Sequence, residues 1–125
     1  MAKKTNDKLF IGTDLTRTFH IKNEAETTSI NISGWSLSWM VKLHPMQADT
    51  AAILTKTTTA GDITIAGAFN SVPATNAQRA TLLLTDTDTD GKTPGYYYWE
   101  LKRMDNAGET VEAYGGMEFI KGVHG

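Results

Sequence analysis

Residues 35–42 read Trp-Ser-Leu-Ser-Trp-Met-Val-Lys, and no other stretch constrains the fold as strongly. On an extended backbone Trp35, Leu37, Trp39 and Val41 fall on one side. Ser36, Ser38 and Lys42 fall on the other, with Met40 the exception. Two tryptophans two residues apart on one face need a core to cover them, which predicts a β-strand packed against a second layer. Ser33-Gly34 is a turn signal ahead of it, and His44-Pro45 ends it.

The rest of the chain repeats the pattern. In residues 15–22, Leu15, Phe19 and Ile21 point one way and Thr16, Thr18, His20 and Lys22 the other. Arg17, on the apolar side, marks the open end of a sheet. Residues 29–32 are expected to form a short strand, and residues 53–57 and 62–66 a hairpin about 58–61. Ala80, Leu82 and Leu84 of residues 79–85 are predicted inward, as are Tyr97, Trp99 and Leu101 of residues 96–104. Residues 105–108 form a turn, and 109–114 pair back. Gly115-Gly116 is expected to form a bulge or kink before a final strand over 117–123. About seven to nine short strands with turns between them predict an all-β, immunoglobulin-like antiparallel β-sandwich. Residues 1–8 are expected to be a flexible N-terminal arm, and 9–125 a single sandwich domain. The longest irregular stretch, residues 66–78, is a candidate contact loop.

A chain of 125 residues with 40% hydrophobic content can bury one core. Its 12 basic and 14 acidic residues leave a net charge of −2, which calls for neither nucleic acid nor an anionic membrane as partner. Lys3, Lys4 and Lys8 are the only basic cluster, and they belong to the arm. With no cysteine, disulfides and thiol catalysis are excluded, and assembly in a reducing cytoplasm is consistent. No apolar run reaches the roughly 18 residues of a membrane span, and Met1–Lys8 lacks the apolar stretch of a secretory leader.

Candidate chemistry is sparse. Asp86-Thr87-Asp88-Thr89-Asp90-Gly91 matches the first half of a calcium loop, but its twelfth position is Tyr97 rather than a glutamate. Asp86, Asp88 and Asp90 are therefore the metal candidates of a chain predicted to hold no metal and no cofactor. His20, His44 and His124 show no ligand spacing. There is no nucleophile elbow and no phosphate-cradling glycine loop, so no catalytic residue is assigned and a non-enzyme is expected. In Tyr96-Tyr97-Tyr98-Trp99, neighbours alternate, so Tyr97 and Trp99 fill the core and Tyr96 and Tyr98 lie outside.

One resemblance covers most of the chain. Gly12-Thr13-Asp14-Leu15-Thr16, Ile30-Asn31-Ile32-Ser33-Gly34-Trp35, Gly61-Asp62-Ile63-Thr64-Ile65 and Thr93-Pro94-Gly95-Tyr96-Tyr97-Tyr98-Trp99-Glu100-Leu101 follow one another, with Gly116 in the last strand. This order resembles small immunoglobulin-like virion proteins of tailed bacteriophages, including the N-terminal domain of baseplate upper proteins. The Asp-Thr repeat stands where that family has a short polar helix-like stretch, and the family's trimerising distal part is missing. The resemblance implies a virion structural protein assembled in the host cytoplasm that docks on a capsid, as decoration or cement, or on a tail surface. Its partners would be other virion proteins and copies of itself. Interface candidates are Lys3, Lys4, Lys8, Tyr96, Tyr98, Phe69 and Asn70. The alternative is a carbohydrate-binding β-sandwich using exposed aromatics.

Overall fold

A computed structural model describes residues 3–23, 25–106 and 109–121. Its strands are β1 (Lys3–Lys4), β2 (Asp7–Phe10), β3 (Leu15–Phe19), β4 (Leu37–Lys42), β5 (Leu54–Thr57), β6 (Ile63–Ala66), β7 (Arg79–Leu84), β8 (Gly95–Arg103) and β9 (Thr110–Ile120), with a 3₁₀ turn (Asp49–Ala51) and a helical turn, α1 (Asp86–Thr89). They form two sheets. One runs β1-β9-β8-β4-β5, with β2 also on β9; the other runs β3-β7-β6. In immunoglobulin lettering these are A-G-F-C-C′ and B-E-D, so the chain is an immunoglobulin-like β-sandwich.

Period-two patterning builds the core. Leu37, Trp39 and Val41 of β4, Leu82 and Leu84 of β7, and Trp99 and Leu101 of β8 are all buried between the sheets. Phe19 packs on Trp99 with ring centroids 5.8 Å apart, and Tyr97 on Phe119 at 4.7 Å. Trp39 is 1% exposed, whereas Trp35 lies just ahead of β4, half-buried, with the Arg103 guanidinium 4.0 Å above its ring.

Several expectations are corrected. The N-terminal segment is no free arm: β1 and β2 both run parallel to β9, with Lys4 opposite Tyr114 and Lys8 opposite Glu118. Gly115 and Gly116 make this pairing close enough to form, rather than kinking the strand. A Cβ on Gly115 would collide with the Thr5 carbonyl, and Asn6 Oδ1 accepts the Gly116 N–H at 3.1 Å. β9 is continuous through both glycines; the register shift lies earlier, where Leu101 faces Ala113 but Lys102 faces Val111, leaving Glu112 unmatched. Residues 29–32 form only a bridge between Ser29 and Lys22: the Ser29 N–H donates to the Ser71 carbonyl at 2.8 Å, and Gln78 Oε1 accepts the Ile32 N–H at 2.9 Å, so no ladder continues. Residues 58–61 turn a corner instead of a hairpin. β5 pairs with β4 and β6 with β7, so this connection crosses between sheets, with Gly61 at φ 85°. The Asp-Thr repeat starts α1 rather than a loop.

Candidate functional site

Four of the expected interface residues come together on the outer face of the six-stranded sheet. Register aligns Lys8 of β2, Glu118 of β9 and Tyr96 of β8 in one row. The adjacent row of Leu9, Phe119 and Gly95 places Leu9 and Phe119 inside, each 1% exposed, so the Lys8 row faces outward. Phe10 and Ile120 pair in the next outward row. Tyr96 is 81% exposed and Phe10 53%. Ile120 is the diagonal neighbour of Tyr96, a spacing of about 7–8 Å that large side chains bridge. The result is an apolar surface of Phe10, Ile120 and Tyr96 flanked by a lysine and a glutamate. Phe10 and Ile120 escape sequence reasoning because only the parallel pairing of β2 with β9 puts them beside Tyr96.

Lys4 lies on the same face, in the row of Tyr114 and Glu100. Tyr98 belongs to the face but not to its surface. It is half-buried, its hydroxyl donates to Glu100 Oε2 at 3.3 Å, and its ring tilts against Tyr114. Burial, together with the Glu100 carboxylate, pushes the Tyr98 phenol up. Phe69 and Asn70 sit in the loop after β6, at the other sheet. The side chain of Lys3 lies outside the described residues.

The middle of this face is sealed by charge. Lys42, on an outward strand position yet 2% exposed, donates to Glu100 Oε1 at 2.6 Å and Asp49 Oδ1 at 2.9 Å. Lys102 donates to Asp49 Oδ2 at 2.9 Å. Burial alone would lower the Lys42 ammonium, but bonds to Glu100 and Asp49 outweigh it and leave it raised. Lys42 and Lys102 hold the Asp49 carboxyl below its ordinary value. Every charge has a partner, so the network fastens the 3₁₀ turn Asp49–Ala51 to β4 and β8.

The aspartates of α1 do not converge on a cation. Asp88 pairs with Lys56 and accepts the Thr85 N–H at 2.8 Å; burial opposes ionisation, but these partners keep its carboxyl low. Thr89 is fully buried, and its hydroxyl accepts the Gly12 N–H at 2.9 Å. Among the described residues, no three histidine, cysteine or acidic side chains are grouped to hold a metal.

A cleft of about 660 Å³ opens at one side of the sandwich, because β1 and β2 lie on β9 and leave the edge of β3 unpaired. Trp39, Trp99 and Phe19 line it, with Lys4, Asp7, Arg17, His20, Lys22, Glu26 and Glu112 among the polar residues. Arg17 spans the gap to both carboxylate oxygens of Asp7, an inward-pointing charge of the kind that protects an edge strand. Burial raises the Glu112 carboxyl. Ser29 Oγ lies 2.7 Å from His20 Nε2, the spacing of a nucleophile and its base. Ser29, however, is 3% exposed and does not line the cleft, so its hydroxyl is not presented there.

No family model matches the chain, and no curated protein matches it. Among solved structures, that of the NK cell receptor Nkp44, described as a triggering partner in natural cytotoxicity, is similar over 98% of this chain and 99% of that chain. The identity is 13% and the TM-score 0.45, and no residue or activity is carried across from it.

Proposed function

We propose that this chain is a non-enzymatic docking module of a bacteriophage virion, seated on a capsid or tail surface through the outer face of its six-stranded sheet. The observation that carries this reading is the placement of two large exposed apolar side chains, Tyr96 at 81% and Phe10 at 53%, on one outward face, on either side of β9. Contiguous apolar surface of this kind is where soluble domains meet partners. The sealed ion network beside it keeps the face rigid, which lowers the entropy cost of docking. The partners are other virion structural proteins, or further copies of this chain.

The test is the copy number of the chain on purified particles assembled with wild type, Tyr96→Ala or Phe10→Ser. Either substitution is expected to reduce occupancy at least about tenfold, as loss of a central aromatic anchor does. Wild-type levels of both variants on particles would overturn the assignment of this face. Absence of the wild-type chain from particles, together with binding to a defined glycan that Tyr96→Ala abolishes, would replace the virion role with the carbohydrate-binding one.

A further inference from the structure

The edges of the two sheets are not alike. β1 and β2 form one edge of the six-stranded sheet and β5 the other; β3 and β6 are the edges of the three-stranded sheet. Lys4, Asp7 and Lys8 stand along the first, Lys56 on β5 and Arg17 on β3, and such charges discourage a further strand from pairing. β6 reads Ile-Thr-Ile-Ala, with no charge, no proline and no bulge. Two bonds just outside the strand set the phase of its backbone. The Leu83 N–H donates to the Asp62 carbonyl at 3.0 Å, and the Ala77 N–H to the Ala68 carbonyl at 3.2 Å. Along an antiparallel ladder, pairs that exchange bonds alternate with pairs that do not, so Thr64 and Ala66 bond to Thr81 and Arg79 of β7. The N–H and C=O groups of Ile63 and Ile65 therefore point away from β7, and among the described residues no strand takes them. Thr64 and Ala66 present exposed side chains on the outer face.

We propose that β6 is a strand-pairing edge whose partner is β6 of a second copy, run antiparallel about a two-fold axis at Thr64. In this register Ile63 lies opposite Ile65 of the second copy, and Ile65 opposite Ile63. Every open N–H of these residues then meets an open carbonyl, giving two bonds in each of the two pairs. The two Thr64 residues face each other across the axis as the non-bonded pair, where side chains come closest and threonines pair favourably. Asp62 meets Ala66, so no like charges are opposed. The neighbouring registers in the same phase set Ile65 against Gly61, in the crossing turn at φ 85°, or Ile63 against Gly67, at φ 97°. The edge is therefore complementary to itself, which is what a two-fold contact requires. The outward row of Thr18, Thr81 and Thr64 would continue across the axis and join two three-stranded sheets into one of six. This edge belongs to the other sheet from Tyr96 and Phe10, so it stands or falls independently of the docking face.

A few backbone bonds make a weak contact, so the test traps it covalently in a chain that has no cysteine of its own. Thr64→Cys and Ala66→Cys each add one thiol at an exposed position of β6. In a glutathione redox buffer at equal protein concentration, Thr64→Cys should link into dimers at least about tenfold faster than Ala66→Cys, because the pairing holds the two copies of position 66 about 14 Å apart, beyond disulfide reach. In unfolding urea the two rates should become equal. A second pair of variants checks the axis without a covalent bond. Thr64→Lys and Thr64→Glu should each lose self-association in sedimentation equilibrium, since like charges then stand opposite, and their 1:1 mixture should regain it. Equal linking rates in the folded protein, or a mixture that associates no better than either variant alone, would overturn the two-fold pairing and leave an unlike strand as the occupant of this edge.

Discussion

At the scale of single residues, the sandwich depends on close fits that tolerate little change. The Trp99 indole N–H donates to the Thr5 carbonyl at 3.0 Å, and Gly115 leaves room for that carbonyl to approach. Gly115→Ala should expel residues 3–6 from β9 and cost about 1–3 kcal/mol, as overpacking does. Urea unfolding measures the loss, and a red shift of Trp99 emission reports the exposed indole. Lys42 offers a second case. Its side chain is 3% exposed and that of Glu100 7%, so Lys42→Met strands a buried carboxylate and should cost about 3–5 kcal/mol. The double variant Lys42→Met/Glu100→Leu should recover most of this, because no unpaired charge remains. Failure of that rescue in denaturant titrations would mean the pair is held by something beyond mutual neutralisation.

At the scale of elements, the parallel course of β1 and β2 beside β9 decides where the molecule is open. The unpaired edge of β3 and the cleft both follow from it, and the Asp7–Arg17 pair spans the gap. Asp7→Asn should loosen that closure, and acrylamide quenching of tryptophan emission should rise; unchanged quenching would show that the ion pair does not gate the cleft. Strands with strict alternation were legible in sequence: β4, β7 and β8 lie where Trp39, Leu82 and Trp99 require. β1 and β2 were not, since Lys3, Lys4, Asp7 and Lys8 read as a solvated tail. Their pairing is supplied by backbone bonds to β9 and by two glycines that reveal their purpose only beside Thr5 and Asn6. The crossing at residues 58–61 was hidden for a related reason. Turn composition looks the same whether the next strand returns to its own sheet or enters the other.

At the scale of the whole molecule, paired charges tie stability to pH. The Arg103 guanidinium and the Ser36 N–H hold the Asp105 carboxyl down to about 2. Its folded value lies below its unfolded one, so its contribution is complete above the ordinary carboxylate range and is lost as pH falls toward about 2. Asp49 and Asp88 act in the same direction. Asp105→Asn should therefore flatten the acid limb of the stability profile while leaving the Lys42 network intact. An acid limb identical to wild type would remove Asp105 from this account. The proposed docking face was half legible in the sequence. Alternation put Tyr96 outside, but only the register of three strands set Phe10 and Ile120 next to it, and only Glu100 explains why Tyr98 is withdrawn.

The most direct test places a photo-crosslinking residue at Tyr96 and, separately, at Thr16 on the opposite sheet, and identifies the captured chains in intact particles by mass spectrometry. The expected result is capture of a virion structural protein, or of a second copy, from position 96 and not from position 16. Capture from position 16 alone, or from neither position on particles that carry the chain, would contradict a docking surface built on the outer face of the six-stranded sheet.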